Sequence, residues 1–202
     1  MIQVCRGFAT NAKSKYHPCI GMIRRCFSNQ NTNDYKPTLT TSSAFLITED
    51  EVLAAHKAWG DGLCLIANTY DEKGYDAAKD VAQSVLDGAY GYIKGIPVLF
   101  KPTLASGNQT FRLTNEGALS YFVGGFEKYP KDAGFAIQGW RKVESYPAGI
   151  LLNGSTAIST GNVHCIDKTG RTVIVDKTWG YKKDDEGVVR IILHHSSLPY
   201  QA

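Results

Sequence analysis

No apolar run in this 202-residue chain approaches the roughly 20 residues that a membrane-crossing helix requires. Nor does an apolar stretch follow the first charges, as a secretory signal demands. Acidic residues are missing altogether from positions 1 to 27, where Arg6, Lys13, Lys15, Arg24 and Arg25 stand unopposed. Five of the 22 basic residues lie there, so positions 28 to 202 hold 17 against 19 acidic, a formal charge of −2. That near-neutral remainder gives no electrostatic reason to expect nucleic acid or an anionic membrane as partner. Cysteine is scarce too. Cys5, Cys19 and Cys26 sit in the basic leader, which leaves Cys64 and Cys165, too few and too far apart for a disulfide framework. They read as small buried hydrophobes in a reducing compartment.

A leader free of acids and ending in Arg24-Arg-Cys-Phe-Ser28 has the composition of an organellar transit peptide over residues 1–27. Its Arg-x-Phe-Ser end resembles a mitochondrial processing site, with the plastid as the alternative destination. Residues 28–45, rich in Ser, Thr and Asn, read as a polar linker. Residues 46–202 are long enough for one domain with a proper core.

Helices come first in that domain. Thr48 followed by Glu51 predicts a capping box. Val52, Ala55, Trp59, Leu63, Ile66 and Tyr70 recur at spacings of three and four and form one buried stripe, with His56 expected in solvent. Gly60 and Gly62 inside that helix predict close approach of another segment. Asp76 is expected to cap a second helix to Leu86, and Thr114 a third that closes at Gly124-Gly125. Ile96 to Phe100 and Gln109 to Leu113 read as short strands, the first at an edge because of Pro97. From Gln138 the chain turns to long strands: Gln138–Leu152, Ser155–Asp167, Arg171–Tyr181 and Gly187–Ser197, separated by hairpin signals such as Asn153-Gly154. Pro147-Ala-Gly149 predicts a bulge that bends the sheet. The fold class is therefore α+β, a cone-shaped curved antiparallel sheet wrapped around three amino-terminal helices.

The last strand changes character along its length. Strict alternation puts Val189, Ile191, Leu193, His195 and Ser197 on one face, apolar at first and then polar, as at the mouth of a cavity. His194 and Ser196 fall on the other. On the preceding strand, Val173, Val175, Lys177 and Trp179 share a face and Asp176 points away.

The order of elements and the closing Leu193-His-His-Ser-Ser-Leu-Pro199 resemble the nuclear transport factor two-like cone, and within it the association domain of calcium/calmodulin-dependent kinase. Lys101-Pro-Thr103, Phe111-Arg-Leu-Thr114, Ala118-Leu-Ser-Tyr-Phe-Val-Gly-Gly125 and His194-His-Ser-Ser197 resemble the iota class of carbonic anhydrases more narrowly, over about residues 46 to 200. The resemblance implies reversible hydration of carbon dioxide to bicarbonate in a metal-independent pocket. It carries catalytic roles to Thr103, Tyr121 and Ser197. His195 joins them by sharing a face with Ser197. Lys177 and Ser196 are implied as substrate-binding neighbours, the choice between Ser196 and Ser197 resting on strand register. Relatives commonly pair through the outer sheet face, so a homodimer is expected, with Ile174, Ile192 and Val188 on that face.

Zinc would need three convergent protein ligands. His194 and His195 point to opposite faces, as do His164 and Cys165, so no set survives once His17, Cys19 and Cys26 leave with the leader. No cofactor is expected, although a loosely bound divalent ion such as manganese, linked to some relatives, stays open. A water would instead be held by Tyr121 and Ser197, with Lys177 lowering the phenol's pKa and Thr103 donating to the developing bicarbonate. Two rivals remain: a non-enzymatic oligomerisation or ligand-binding hub of the kinase type, and a steroid-isomerase-like or cyclase-like enzyme using Asp176 as base.

Overall fold

The computed structural model describes residues 45–201; the leader with its three cysteines and all but the last residue of the linker lie outside the described residues. Helix α1 spans Glu49–Lys73 and opens with the expected capping box: Glu51 N–H donates to Thr48 Oγ1 (3.3 Å) and Thr48 N–H to Glu51 Oε2 (2.9 Å). Its buried stripe runs through Val52, Trp59, Leu63 and Ile66. A Cβ on Gly60 would lie 3.0 Å from the Val143 carbonyl and one on Gly62 3.0 Å from a Val85 methyl, so both glycines sit where another segment crosses α1. Helix α2 covers Tyr75–Ala89 and follows α1 through Gly74, whose φ of 84° suits glycine. Asp76 lies inside this helix and does not cap it. Helix α3, Asn115–Val123, is capped as expected by Thr114, which accepts from Gly117 N–H (3.1 Å).

Five strands form one curved, unclosed sheet in the order β1-β5-β4-β3-β2: β1 Leu99–Lys101, β2 Trp140–Asn153, β3 Thr156–Asp167, β4 Thr172–Lys183 and β5 Val189–Ser197. The long strands are antiparallel, while the edge strand β1 runs parallel to β5, pairing Phe100 with His194 and Lys101 with His195. Gln109–Leu113 is not a strand. A single turn of 3-10 helix at Gly107–Gln109 precedes an irregular run tied to β1 by Arg112 N–H donating to the Phe100 carbonyl (2.8 Å). The bulge expected at Pro147 is present as a register shift between Pro147 and Gly149. Its partner is Gly161, where a Cβ would come within 2.7 Å of Pro147 Cα, so only glycine lets β2 and β3 pair through the bend.

The core lies between the concave face of the sheet and α1, with Trp59, Tyr90, Phe100, Trp140, Trp179 and Tyr181 buried in it. The short helix α3 is held by a buried ion pair, Arg112 to Asp132 (2.8 Å), whose carboxylate also accepts from Ser120 Oγ (2.7 Å). This clamp fixes Tyr121, the next residue of α3, against the open end of the sheet.

Candidate active site

Three hydroxyls meet at the end of β5. Thr103, two residues past β1, places its Oγ1 2.6 Å from Ser196 Oγ. Parallel pairing of β1 with β5 produces this contact, since it carries the chain leaving Lys101 along the last residues of β5. Lys101 reinforces it by donating from Nζ to the Ser196 carbonyl (2.9 Å). Tyr121 stacks its ring on Phe135 and sets it edge-on to Phe100. Its hydroxyl lies near Thr103 and the Leu104 backbone, yet among the described residues nothing meets it in hydrogen-bonding geometry.

Deeper in the concave face lies a buried polar chain. His194 is clasped between Phe100 (centroids 4.3 Å apart) and Trp179 (4.1 Å). Its Nε2 is 2.6 Å from Lys177 Nζ and its Nδ1 2.8 Å from the Tyr90 hydroxyl, which accepts from the Trp59 indole N–H (3.0 Å). Lys177 is only 3% exposed and its ammonium position lies 4.0 Å from the Trp59 ring centroid.

The donor inventory of this chain specifies its protonation. Trp59 can only donate, so the Tyr90 oxygen accepts and the phenol proton goes to His194 Nδ1. Nε2 then carries the imidazole proton and donates to Lys177, which must offer a lone pair. Every member is satisfied only when Lys177 is a neutral amine. Protonating it reverses the chain and strands the Tyr90 proton in the core, at a cost of about 1–3 kcal/mol. Burial acts the same way and lowers the Lys177 pKa to about 7. The faces of Trp59 and Trp179 oppose it by favouring the cation. Burial, then the Lys177 charge, hold His194 far below the usual imidazole value, so it stays neutral.

Comparison with known proteins gives this geometry a setting. Residues 50–198 match the family described as metal-independent carbonic anhydrase. A metal-independent carbonic anhydrase of Nostoc sp. (strain PCC 7120) is 57% identical over 155 residues, covering 77% of this chain and 75% of the relative. The chain belongs to the metal-independent carbonic anhydrases. The crystal structure of a cyanobacterial iota-carbonic anhydrase complexed with bicarbonate superimposes with a TM-score of 0.77 at 56% identity, covering 78% of this chain and 96% of that one. A calcium/calmodulin-dependent kinase II association domain from Xanthomonas campestris aligns at 21% identity and a TM-score of 0.49, over 75% of this chain and 88% of that one.

For a carbonic anhydrase of this family, the placement of the expected site residues is instructive. Thr103, Tyr121, Lys177 and Ser196 gather on the concave side. His195 and Ser197 do not: His195 is exposed and Ser197 half-buried on the opposite face, while His194 and Ser196 are each 1% exposed. Alternation fails because β5 carries a bulge. Tyr181 pairs with Ile191 but Gly180 with Leu193, so Ile192 is an extra residue and the parity of everything after it is inverted. Gly180 makes room for the kink, since a Cβ there would lie 2.8 Å from that of Leu193. A glycine inside an otherwise β-branched and aromatic strand was the available signal.

His56 is also misplaced by the sequence reading. It is buried, with Nε2 2.8 Å from Ser159 Oγ, and Nδ1 lacks a partner among the described residues. Its spacing from Val52 (four residues) and Trp59 (three) was the overlooked cue. The expectation that Lys177 lowers the Tyr121 pKa is overturned as well. Burial raises it to about 12, against the pull of Thr103, so the phenol stays protonated at neutral pH. Burial likewise pushes the Cys165 thiol up to about 11, as suits a packing residue. Asp176 accepts from Asn162 on the outer face, away from the concave side. Among the described residues no three His, Cys, Asp or Glu side chains converge to hold a metal ion, in keeping with the family's description.

Proposed function

We propose that carbon dioxide and bicarbonate are interconverted at the Thr103, Ser196 and Tyr121 hydroxyls, with the Lys177 amine as proton acceptor once its lone pair is released from the His194 Nε2–H. The observation that carries this reading is the hydroxyl pair 2.6 Å apart beside a buried phenol that has no partner among the described residues. A buried polar group without a partner is costly unless a ligand supplies one. One member of the Thr103–Ser196 pair must donate to the other, which leaves one hydroxyl proton, and that of Tyr121, to point at substrate oxygens. These are fixed dipoles aimed at the charge that develops on carbon dioxide as water adds.

Hydration converts carbon dioxide and water to bicarbonate and a proton. The water must lose that proton as its oxygen bonds to carbon, and a base with a pKa near the working pH does this best. Lys177 pairs directly with Ser196 across β4 and β5, and both side chains face inward. The bicarbonate bound to the cyanobacterial relative supports the same ligand here. Removing the Tyr121 hydroxyl in Tyr121→Phe is expected to lower kcat/KM for hydration on the order of tenfold, the worth of one hydrogen bond. Prolonged chelation of wild type is expected to change nothing, measured by stopped-flow indicator assay. Activity lost on chelation and restored by manganese or zinc would replace this reading with a metal-assisted one.

The acid-free leader supports import into mitochondria, with plastids as the alternative, and microscopy of a leader fusion distinguishes the two. Ile158, Ile174 and Val188 are exposed on or beside the outer sheet face and support a homodimer through it. Light scattering of wild type and Ile174→Lys tests this, the variant being expected to run as a monomer.

A further inference from the structure

Hydration of carbon dioxide leaves a proton that must reach solvent before the next turnover, and the concave face offers a way out. We infer that protons leave Lys177 through a single-water cavity at the β2 bulge to His56, and from there into the groove between α1 and β2. This rests on the reading of Lys177 as the proton acceptor.

Three observations carry it. First, a small cavity of about 10 Å³, at the lower bound for a single water, lies at the bend of β2 and counts Lys177 and His56 among its lining residues. The backbone opening exists because Pro147 and Gly149 break register opposite Gly161. Second, His56 is 95% buried (5% exposed) and its Nδ1 has no partner among the described residues, while Ser159 holds Nε2. In the tautomer that donates from Nε2 to Ser159, Nδ1 carries a free lone pair. Third, His56 also lines an open groove of about 500 Å³ rimmed by Lys57, Asp61, Arg141 and Glu144, and Ser145 and Tyr146 border both spaces.

The step balances without any other reactant. The Lys177 ammonium gives a proton to the cavity water, which passes one of its own to His56 Nδ1. The imidazolium then lets go of Ser159, turns to present the Nδ1 proton to groove water and so to buffer, and returns to Ser159 as the neutral ring. Burial lowers the His56 pKa below the usual imidazole value, so the ring does not retain the proton at neutral pH. His56 is hydrogen-bonded to Ser159 and to none of the three hydroxyls, and its role is proton transfer through Lys177.

The test separates proton export from chemistry. His56→Gln keeps a hydrogen-bonding side chain and cannot carry the proton. Ser145→Leu fills the passage and removes no ionisable group. In dilute buffer both are expected to lower kcat about tenfold with kcat/KM within twofold of wild type, and added imidazole buffer is expected to restore kcat in His56→Gln. Unchanged kcat in both variants at low buffer overturns the inference. So does a joint fall of kcat and kcat/KM without rescue, which would give His56 a structural or chemical role. A Ser196→Ala variant assayed alongside reports on the hydroxyl site itself: full kcat/KM there would sink the proposed active site, whatever His56 does.

Discussion

Ser196→Ala is expected to reduce kcat/KM for carbon dioxide hydration on the order of 10²- to 10³-fold, whereas Ser197→Ala stays within about twofold of wild type. The two residues are neighbours of identical chemistry, and the contrast arises from geometry alone. Ser196 is buried and bonded to Thr103 at 2.6 Å; Ser197 lies on the other face of β5, paired with Asp176 of the outer surface. Alanine at 196 removes one hydroxyl of the proposed site and frees the other from its orienting partner. Stopped-flow hydration assays on both variants measure this. Equal losses at the two positions, or a larger loss at 197, would show that β5 lacks the Ile192 bulge in solution.

Lys177→Met should lower kcat/KM about a hundredfold at neutral pH and flatten its pH dependence, since among the described residues the amine is the inward-facing base whose pKa is brought to about 7. In wild type kcat/KM rises through about pH 7 as Lys177 loses its proton. The same shift makes a stability prediction of fixed sign. The folded-state pKa of about 7 lies below the ordinary lysine value of 10.5, so between these pH values the unfolded chain binds more protons. Stability due to Lys177 is therefore fully present above pH 10.5 and is lost as pH falls to about 7, at no more than about 1.4 kcal/mol per pH unit. Below pH 7 the residue is charged in both states and the slope vanishes. Methionine does not titrate, so Lys177→Met gains most over wild type at neutral and lower pH, and the gain shrinks toward pH 10. Denaturant melts of both proteins across this range check it. A pH-independent difference would mean that the lysine keeps its charge in the core. Together the two effects describe an exchange of stability for a base at working pH, as at many catalytic sites.

The sheet and helices were legible because their signals are local. Capping at Thr48 and Thr114, the stripe from Val52 to Ile66, and hairpin turns such as Asn153-Gly154 each act over a few residues. The hinge at Pro147 was readable for the same reason. Thr103 and Tyr121 were singled out through motif resemblance, and the inward placement of Lys177 was legible from an unbroken alternation on β4, where Val175, Lys177 and Trp179 do face inward. Asp76 as a cap and Gln109–Leu113 as a strand failed where neighbouring elements decided the outcome: Gly74 lets α2 begin at once, and Arg112 is drawn into the clamp with Asp132.

The sequence by itself determined the α+β order, the segment lengths, the bend in β2, and the supply of hydroxyls and one inward lysine, because propensity, capping and short-range periodicity are properties of contiguous residues. Only the tertiary structure decided which of two adjacent serines and histidines turns to the concave side. That choice depends on how β5 registers against β4, where one extra residue at Ile192 inverts every side chain beyond it. It likewise decided that Lys177 shares a buried hydrogen-bonded chain with His194, Tyr90 and Trp59, since that chain is closed by the Tyr90–His194 bond between residues 104 apart in sequence.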